Sequence, residues 1–131
     1  MNDVEEIIQA IYIGLVLATF LYMTCRARKA IELCKESLVL LNNKALEKEN
    51  QLAKFFYEAI YKVLFVAYLR IRDYTNAVAY GRKLLAIKRE GRETVQEGIL
   101  CIKLAAICQD QNKYFEAKKL YERAISIMNK T

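Results

Sequence analysis

The sequence predicts an all-α fold built from antiparallel helix pairs, and three observations carry that prediction. The 131 residues include no proline and only four glycines, so little interrupts a helix. Apolar residues recur at helical spacing in successive stretches, and no segment reads as a strand. One short pattern occurs twice. Arg72-Asp73-Tyr74-Thr75-Asn76-Ala77 returns 40 residues later as Asn112-Lys113-Tyr114-Phe115-Glu116-Ala117. A fixed period of about 20–50 residues signals stacked repeats.

The totals bound the function classes. Apolar residues make up 55% of the chain, enough for the core of one domain. The net charge is +6, from 21 basic and 15 acidic residues of interspersed sign. That pattern fits a solvated helical surface better than a nucleic-acid footprint. Histidine is absent, which removes the commonest general base and metal ligand. Cys25, Cys34, Cys101 and Cys108 form no Cys-x-x-Cys pair, so a zinc site is not expected. All four read as small buried hydrophobes in a reducing, cytoplasmic compartment. No glycine-rich phosphate loop is present, and Gly81, Gly91 and Gly98 fit no such motif. A Cys nucleophile lacks a histidine base. The expectation is a protein with no catalytic residue, metal or cofactor.

The elements follow in order. Ile7 to Met23 is nearly continuous apolar sequence, interrupted by Gln9 and Thr19. Its length is at the lower limit for a membrane span. Asp3, Glu5 and Glu6 precede it, which argues against a signal peptide. Arg26, Arg28 and Lys29 follow, as basic flanks follow some anchors. The rival reading is a helix covered by protein on more than one side. Ala27 to Leu41 places Ala30, Ile31, Cys34, Leu38 and Leu41 at helical spacing. Asn42-Asn43 supplies a stop, because Asn tolerates a left-handed cap. Lys44 to Ile71 reads as one long helix, with Glu47 and Lys48 on its exposed early turns. Arg72-Asp73 marks a tight turn. Tyr74 to Glu90 is the next helix, with Ala77, Leu84, Leu85 and Ile87 inward and Gly91 as its cap. Glu93 to Gln111 carries Ile99, Ile102, Ala106 and Gln109 on one stripe, and Cys101, Leu104, Ala105 and Cys108 on the next. A turn at Gln111–Lys113 leads into the last helix, Tyr114 to Asn129.

These residues fall on a common frame. The second unit has Tyr61, Leu64, Tyr68, Tyr74, Ala77 and Leu84. The third has Cys101, Leu104, Ala105, Cys108, Tyr114, Ala117, Tyr121 and Ala124. A degenerate first unit has Gly14, Leu17, Ala18, Leu21, Ala30, Cys34 and Ser37, offset from the second by 47 residues. The pattern resembles the tetratricopeptide repeat (TPR), in a 40-residue-spaced variant like those of signalling and polarity adaptors. The closing proline of many such repeats is missing, and the usual period is about 34 residues. The resemblance implies a right-handed α-solenoid of three antiparallel helix pairs. It makes residues 1–131 a single domain with units of about 1–42, 43–91 and 92–131. Ala77 and Ala117 are placed where helices cross at about 8–10 Å, which requires a small side chain. Tyr74 and Tyr114 are expected to pack across the turn.

In that family the first helices of each pair line a concave groove for peptides or helices. By position the groove is lined by Tyr12, Leu15, Thr19 and Tyr22, then by Ala59, Lys62, Val66, Leu69 and Arg70, then by Ile99, Ile102, Lys103, Ala106 and Gln109. A carboxylate clamp is not expected, since Leu15, Thr19, Val63 and Ile99 leave Lys103 as the only suitable residue. The expected partner is an amphipathic protein segment with some acidic residues, met by Lys62, Arg70 and Lys103. A second basic set is Arg82, Lys83, Lys88, Arg89 and Arg92, expected on the outer face of the fourth helix and at its C-terminal end. Two function classes stand. The leading one is a non-enzymatic protein-binding module or scaffold. The alternative is a membrane-associated or self-assembling subunit acting through residues 7–23, with a homodimer through that helix as one form. A fragment of a longer array is a third account of the exposed first helix, while Lys118, Lys119, Glu122 and Arg123 give the last helix a polar outer face.

Overall fold

The structure is a computed structural model that describes residues 3–43, 46–90 and 94–130. Among them are six α-helices and no strand: α1 (Asp3–Met23), α2 (Ala27–Leu41), α3 (Asn50–Arg70), α4 (Tyr74–Arg89), α5 (Val95–Asp110) and α6 (Tyr114–Asn129). The all-α expectation holds. The chain forms two compact units, Met1–Ala77 and Val78–Thr131, with the boundary inside α4. Gly91, Arg92, the helix starts expected at Lys44 and Glu93, and the terminal Thr131 lie outside the described residues.

Three turns share one geometry, and this is the physical content of the repeat. Cys25, Arg72 and Asn112 adopt positive φ of 66°, 61° and 63°. In each turn the next N–H reaches back to a carbonyl in the last helical turn: Arg26 to Leu21, Asp73 to Tyr68, Lys113 to Cys108. A left-handed residue closed by that long bond is the Schellman ending of a helix, which also reverses the chain. Five residues after the left-handed one, Ala30, Ala77 and Ala117 are all buried. The offsets of 47 and 40 residues therefore hold for backbone as well as for sequence.

In the first unit α2 packs on both α1 and α3, and α1 also touches α3. Ile11 and Ala18 are the buried residues of α1. Ala30, Ile31, Cys34, Ser37 and Leu41 form the buried stripe of α2. Gly14 fits against Ser37: a Cβ there would lie 2.6 Å from the Ser37 Oγ. Helix α3 starts at Asn50, not near Lys44. Leu46 is buried ahead of it, so Glu47 and Lys48 sit in the preceding turn. Asn42 does end α2, but with φ of −79°, so its backbone is not left-handed. Its N–H bonds the Leu38 carbonyl and its side chain accepts from the Tyr57 hydroxyl.

In the second unit α5 and α6 pack as a hairpin. Leu100, Cys101, Leu104, Ala105 and Cys108 are buried on α5; Ala117, Leu120, Ala124 and Ile127 are buried on α6. Each large aliphatic side chain among them contributes about 1.5–3 kcal/mol on burial. Thr94 caps α5, its side chain accepting from the Glu97 N–H at 3.2 Å. Thr94 and Glu97 have the spacing of a capping box, a start signal not used in placing this helix. Tyr74 and Tyr114 are exposed rather than packed across their turns. Without a covering neighbour, Tyr114 donates instead to the Asn112 Oδ1 at 2.9 Å.

Candidate interaction surface

Helix α1 positions its apolar side chains on two faces. One face carries Ile11 and Ala18 into the core. The opposite face carries Ile13, Val16, Leu17 and Phe20, at the 3-4 spacing of a single helical stripe. All four are exposed. The shared frame shows how unusual this is. Ile13 corresponds to Ile60 and Leu100, Leu17 to Leu64 and Leu104, and Phe20 to Ala67 and Ile107. The exposures are 57%, 47% and 59% on α1, against 0–8% for the six counterparts.

Beside that stripe an apolar groove opens between α1 and α3, about 420 Å³ in volume. Ile8, Gln9, Tyr12 and Ile13 form one wall and Leu52, Phe55 and Phe56 the other. Phe56 is buried at its base, and Phe55 stands exposed at the rim with its ring edge-on to Phe56 at 5.8 Å. Such a concavity suits apolar side chains from a partner helix.

The residues assigned from the repeat pattern are distributed as follows. Tyr12 lines this groove. Leu15 is half-buried, and the Thr19 hydroxyl donates to the Leu15 carbonyl at 2.9 Å. Tyr22 lies under Arg70, whose guanidinium stands 4.3 Å from the ring centre. Arg70 also donates to the Tyr22 hydroxyl and carbonyl, both at 3.2 Å. Arg70 therefore ties α3 to α1 instead of standing ready for an acidic partner. Lys62 is exposed, and Ala59, Val66 and Leu69 are half-buried. On α5, Ile99, Ile102, Lys103 and Ala106 are exposed, and Gln109 accepts from the Tyr121 hydroxyl at 3.1 Å. Those α5 residues belong to the second unit, those of α1 and α3 to the first.

Sequence reasoning passed over Phe55, Ile8 and Leu52. The signal for Phe55 was the aromatic run Phe55-Phe56-Tyr57, in which one ring faces inward and its neighbour turns out by the helical rotation.

A concavity of about 390 Å³ lies at the C-terminal end of α1, lined by Cys25, Arg26, Ala27, Arg28, Lys29, Arg70 and Ile71. It adjoins the start of α2, where no side chain caps the helix. Cys25 is exposed there, against the expectation of burial, and its sulfur lies 3.8 Å from an Arg70 nitrogen. The other three cysteines are buried. Burial pushes the Cys34 thiol up to about 12. Burial also raises Cys101, an effect opposed by the Arg89 charge.

Glu97 was singled out neither as a site nor as a core residue, yet its side chain is fully buried. Arg123 reaches its Oε1 at 3.4 Å and Arg89 at 3.6 Å. Arg123 is thereby drawn inward, off the polar outer face of α6. Arg82 pairs with Glu116 at 3.2 Å. Two members of the basic set on α4 are thus neutralised locally, and Lys83 remains exposed on the same helix. The Glu97 carboxylate is thus buried between two partly exposed arginines of its own unit, both on Oε1, while its Oε2 has no hydrogen-bond partner among the described residues. Removing either arginine would leave a buried charge less compensated. Among the described residues no group of three His, Cys, Asp or Glu is arranged to hold a metal. Comparison with protein-family models, with curated proteins and with solved structures finds no match.

Proposed function

We propose that this protein is a non-enzymatic interaction module of stacked, TPR-like helix pairs that takes an amphipathic helix of a partner protein. The observation that carries this reading is the apolar groove between α1 and α3, with Tyr12, Ile13 and Phe55 exposed around a buried Phe56. The three equivalent helix-ending turns support the repeat reading, and the right-handed solenoid is what the TPR resemblance adds to it. Apolar anchors on a partner helix enter such a groove at i, i+3 or i+4, and i+7. Lys62, exposed about two turns along α3 from Phe55, favours an acidic residue toward one end of that partner helix. The cytoplasm suits a chain whose Cys25 thiol is exposed.

Selection of displayed helical peptides against the whole chain tests the reading. The expected winners carry three apolar anchors at that spacing and lose binding at least about tenfold to Phe55→Lys, since an introduced charge must be desolvated in the groove. If no peptide is enriched, or if Phe55→Lys binds the winners equally, the groove is not the recognition surface.

A second reading has its own observation. The exposed stripe of α1 fits a self-assembling or membrane-associated subunit, and α1 is long and apolar enough to cross a membrane.

A further inference from the structure

We infer that the exposed stripe of α1 is covered by the same stripe of a second copy of this chain, in antiparallel register. The inference rests on the second reading above and names the occupant. Three of its positions are surface residues on α1 and core residues on α3 and α5, so this face has the chemistry of an interior. Glu6, Gln9, Ile13, Val16, Phe20 and Met23 follow alternating steps of three and four, the seam spacing of a two-helix coiled coil.

Charge then selects the occupant and its direction. The first turn of α1 is acidic, with Asp3, Glu5 and Glu6. The opposite end carries the concavity where Arg26, Arg28 and Lys29 stand exposed, beside an Arg70 already engaged by Tyr22. Consider a two-fold axis passing between Val16 and Leu17. It sets Ile13 opposite Phe20, Gln9 opposite Thr24, and Glu6 opposite Ala27. Each acidic end then meets the concavity of the other copy, beside the uncapped start of α2, where the helix dipole also favours negative charge. One self-complementary patch is used twice, as a two-fold dimer requires. In a parallel pair, acid would face acid and base would face base. A membrane surface rich in anionic lipid would attract one end of the stripe and repel the other.

Sedimentation equilibrium of the whole chain tests this. A dimer is expected that does not grow further with concentration, and Leu17→Glu is expected to make it a monomer with unchanged helicity. Glu5→Lys with Glu6→Lys is expected to weaken association at least tenfold, as is Arg26→Glu with Arg28→Glu. Mixing these two double variants is expected to restore a tight heterodimer, because every end contact then joins opposite charges. Cys25 lies far from its twin in this register, so mild oxidation is expected to leave the dimer uncrosslinked. A monomer at high concentration, open-ended growth, a Cys25–Cys25 crosslink, or Leu17-dependent binding to anionic vesicles by a chain that is monomeric in solution would each overturn the inference. A monomer that still binds the selected peptides through Phe55 would overturn the dimer and leave the groove reading intact.

Discussion

Single residues set how closely α1 and α2 approach. At Gly14 the helix has the least favourable ordinary side chain, by about 1 kcal/mol relative to alanine. The space explains the choice, since an added Cβ would meet the Ser37 Oγ at 2.6 Å but the Ser37 Cβ only at 3.9 Å. Gly14→Ala is therefore expected to stabilise a Ser37→Ala background by up to about 1 kcal/mol and to destabilise the natural one. Denaturant unfolding of the four variants measures this coupling, and additive effects would show that the hydroxyl does not set the spacing. Cys34 gives a second residue-level expectation. A buried thiol raised to about 12, from an ordinary 9.0, binds its proton more tightly in the folded chain. Its contribution to stability is complete below pH 9.0 and declines as pH rises toward 12. Subtracting the pH profile of Cys34→Ala from that of the natural chain isolates this decline; parallel profiles would refute it. Residues of this kind were legible when their chemistry was local. Ala77 and Ala117 were marked by repetition, and both are buried. Glu97 was not, because the two arginines that hold it come from α4 and α6, 8 residues before it and 26 after.

At the scale of elements, helix bodies were legible and helix ends less so. Ala27–Leu41 and Tyr114–Asn129 coincide with their expected limits because an apolar period decides the body of an amphipathic helix. The start of α3 was misjudged by its composition. Glu47 and Lys48 favour helix, but burying Leu46 turns the chain before Asn50. The turns show the same division. The repeat marked where they fall, while the left-handed residue in each was not evident from Cys25 or Arg72, which seldom adopt that conformation. Arg72 is thus held at a cost that glycine would not bear. Arg72→Gly is expected to raise the unfolding free energy by about 1 kcal/mol, seen as a higher midpoint at unchanged denaturant slope. Asn112→Gly gains less, since Asn visits the left-handed region more readily. Equal or absent gains at the two sites would mean that the turn is not strained at Arg72.

The whole molecule is two compact units, each with its own buried residues, and this bears on how damage spreads. Where a chain folds as separate compact units, a defect in one unit loosens that unit first. Ala117 is 3% exposed within the α5–α6 hairpin. Replacing it with leucine inserts three heavy atoms where two helices meet, at a cost of roughly 1–3 kcal/mol. Amides of α5 and α6 are therefore expected to exchange with solvent about 5- to 150-fold faster in Ala117→Leu, the factor by which that free energy multiplies local opening. Amides of α1 and α2, whose partners lie in the first unit, are expected to keep their rates. Uniform acceleration along the chain would instead mean one all-or-none transition, and the two units would then share a single cooperative fold. The same measurement separates the two possible roles of α1. If its stripe is covered by a second copy, α1 amides gain protection as concentration rises, while those of α5 and α6 do not, because only the first is linked to association.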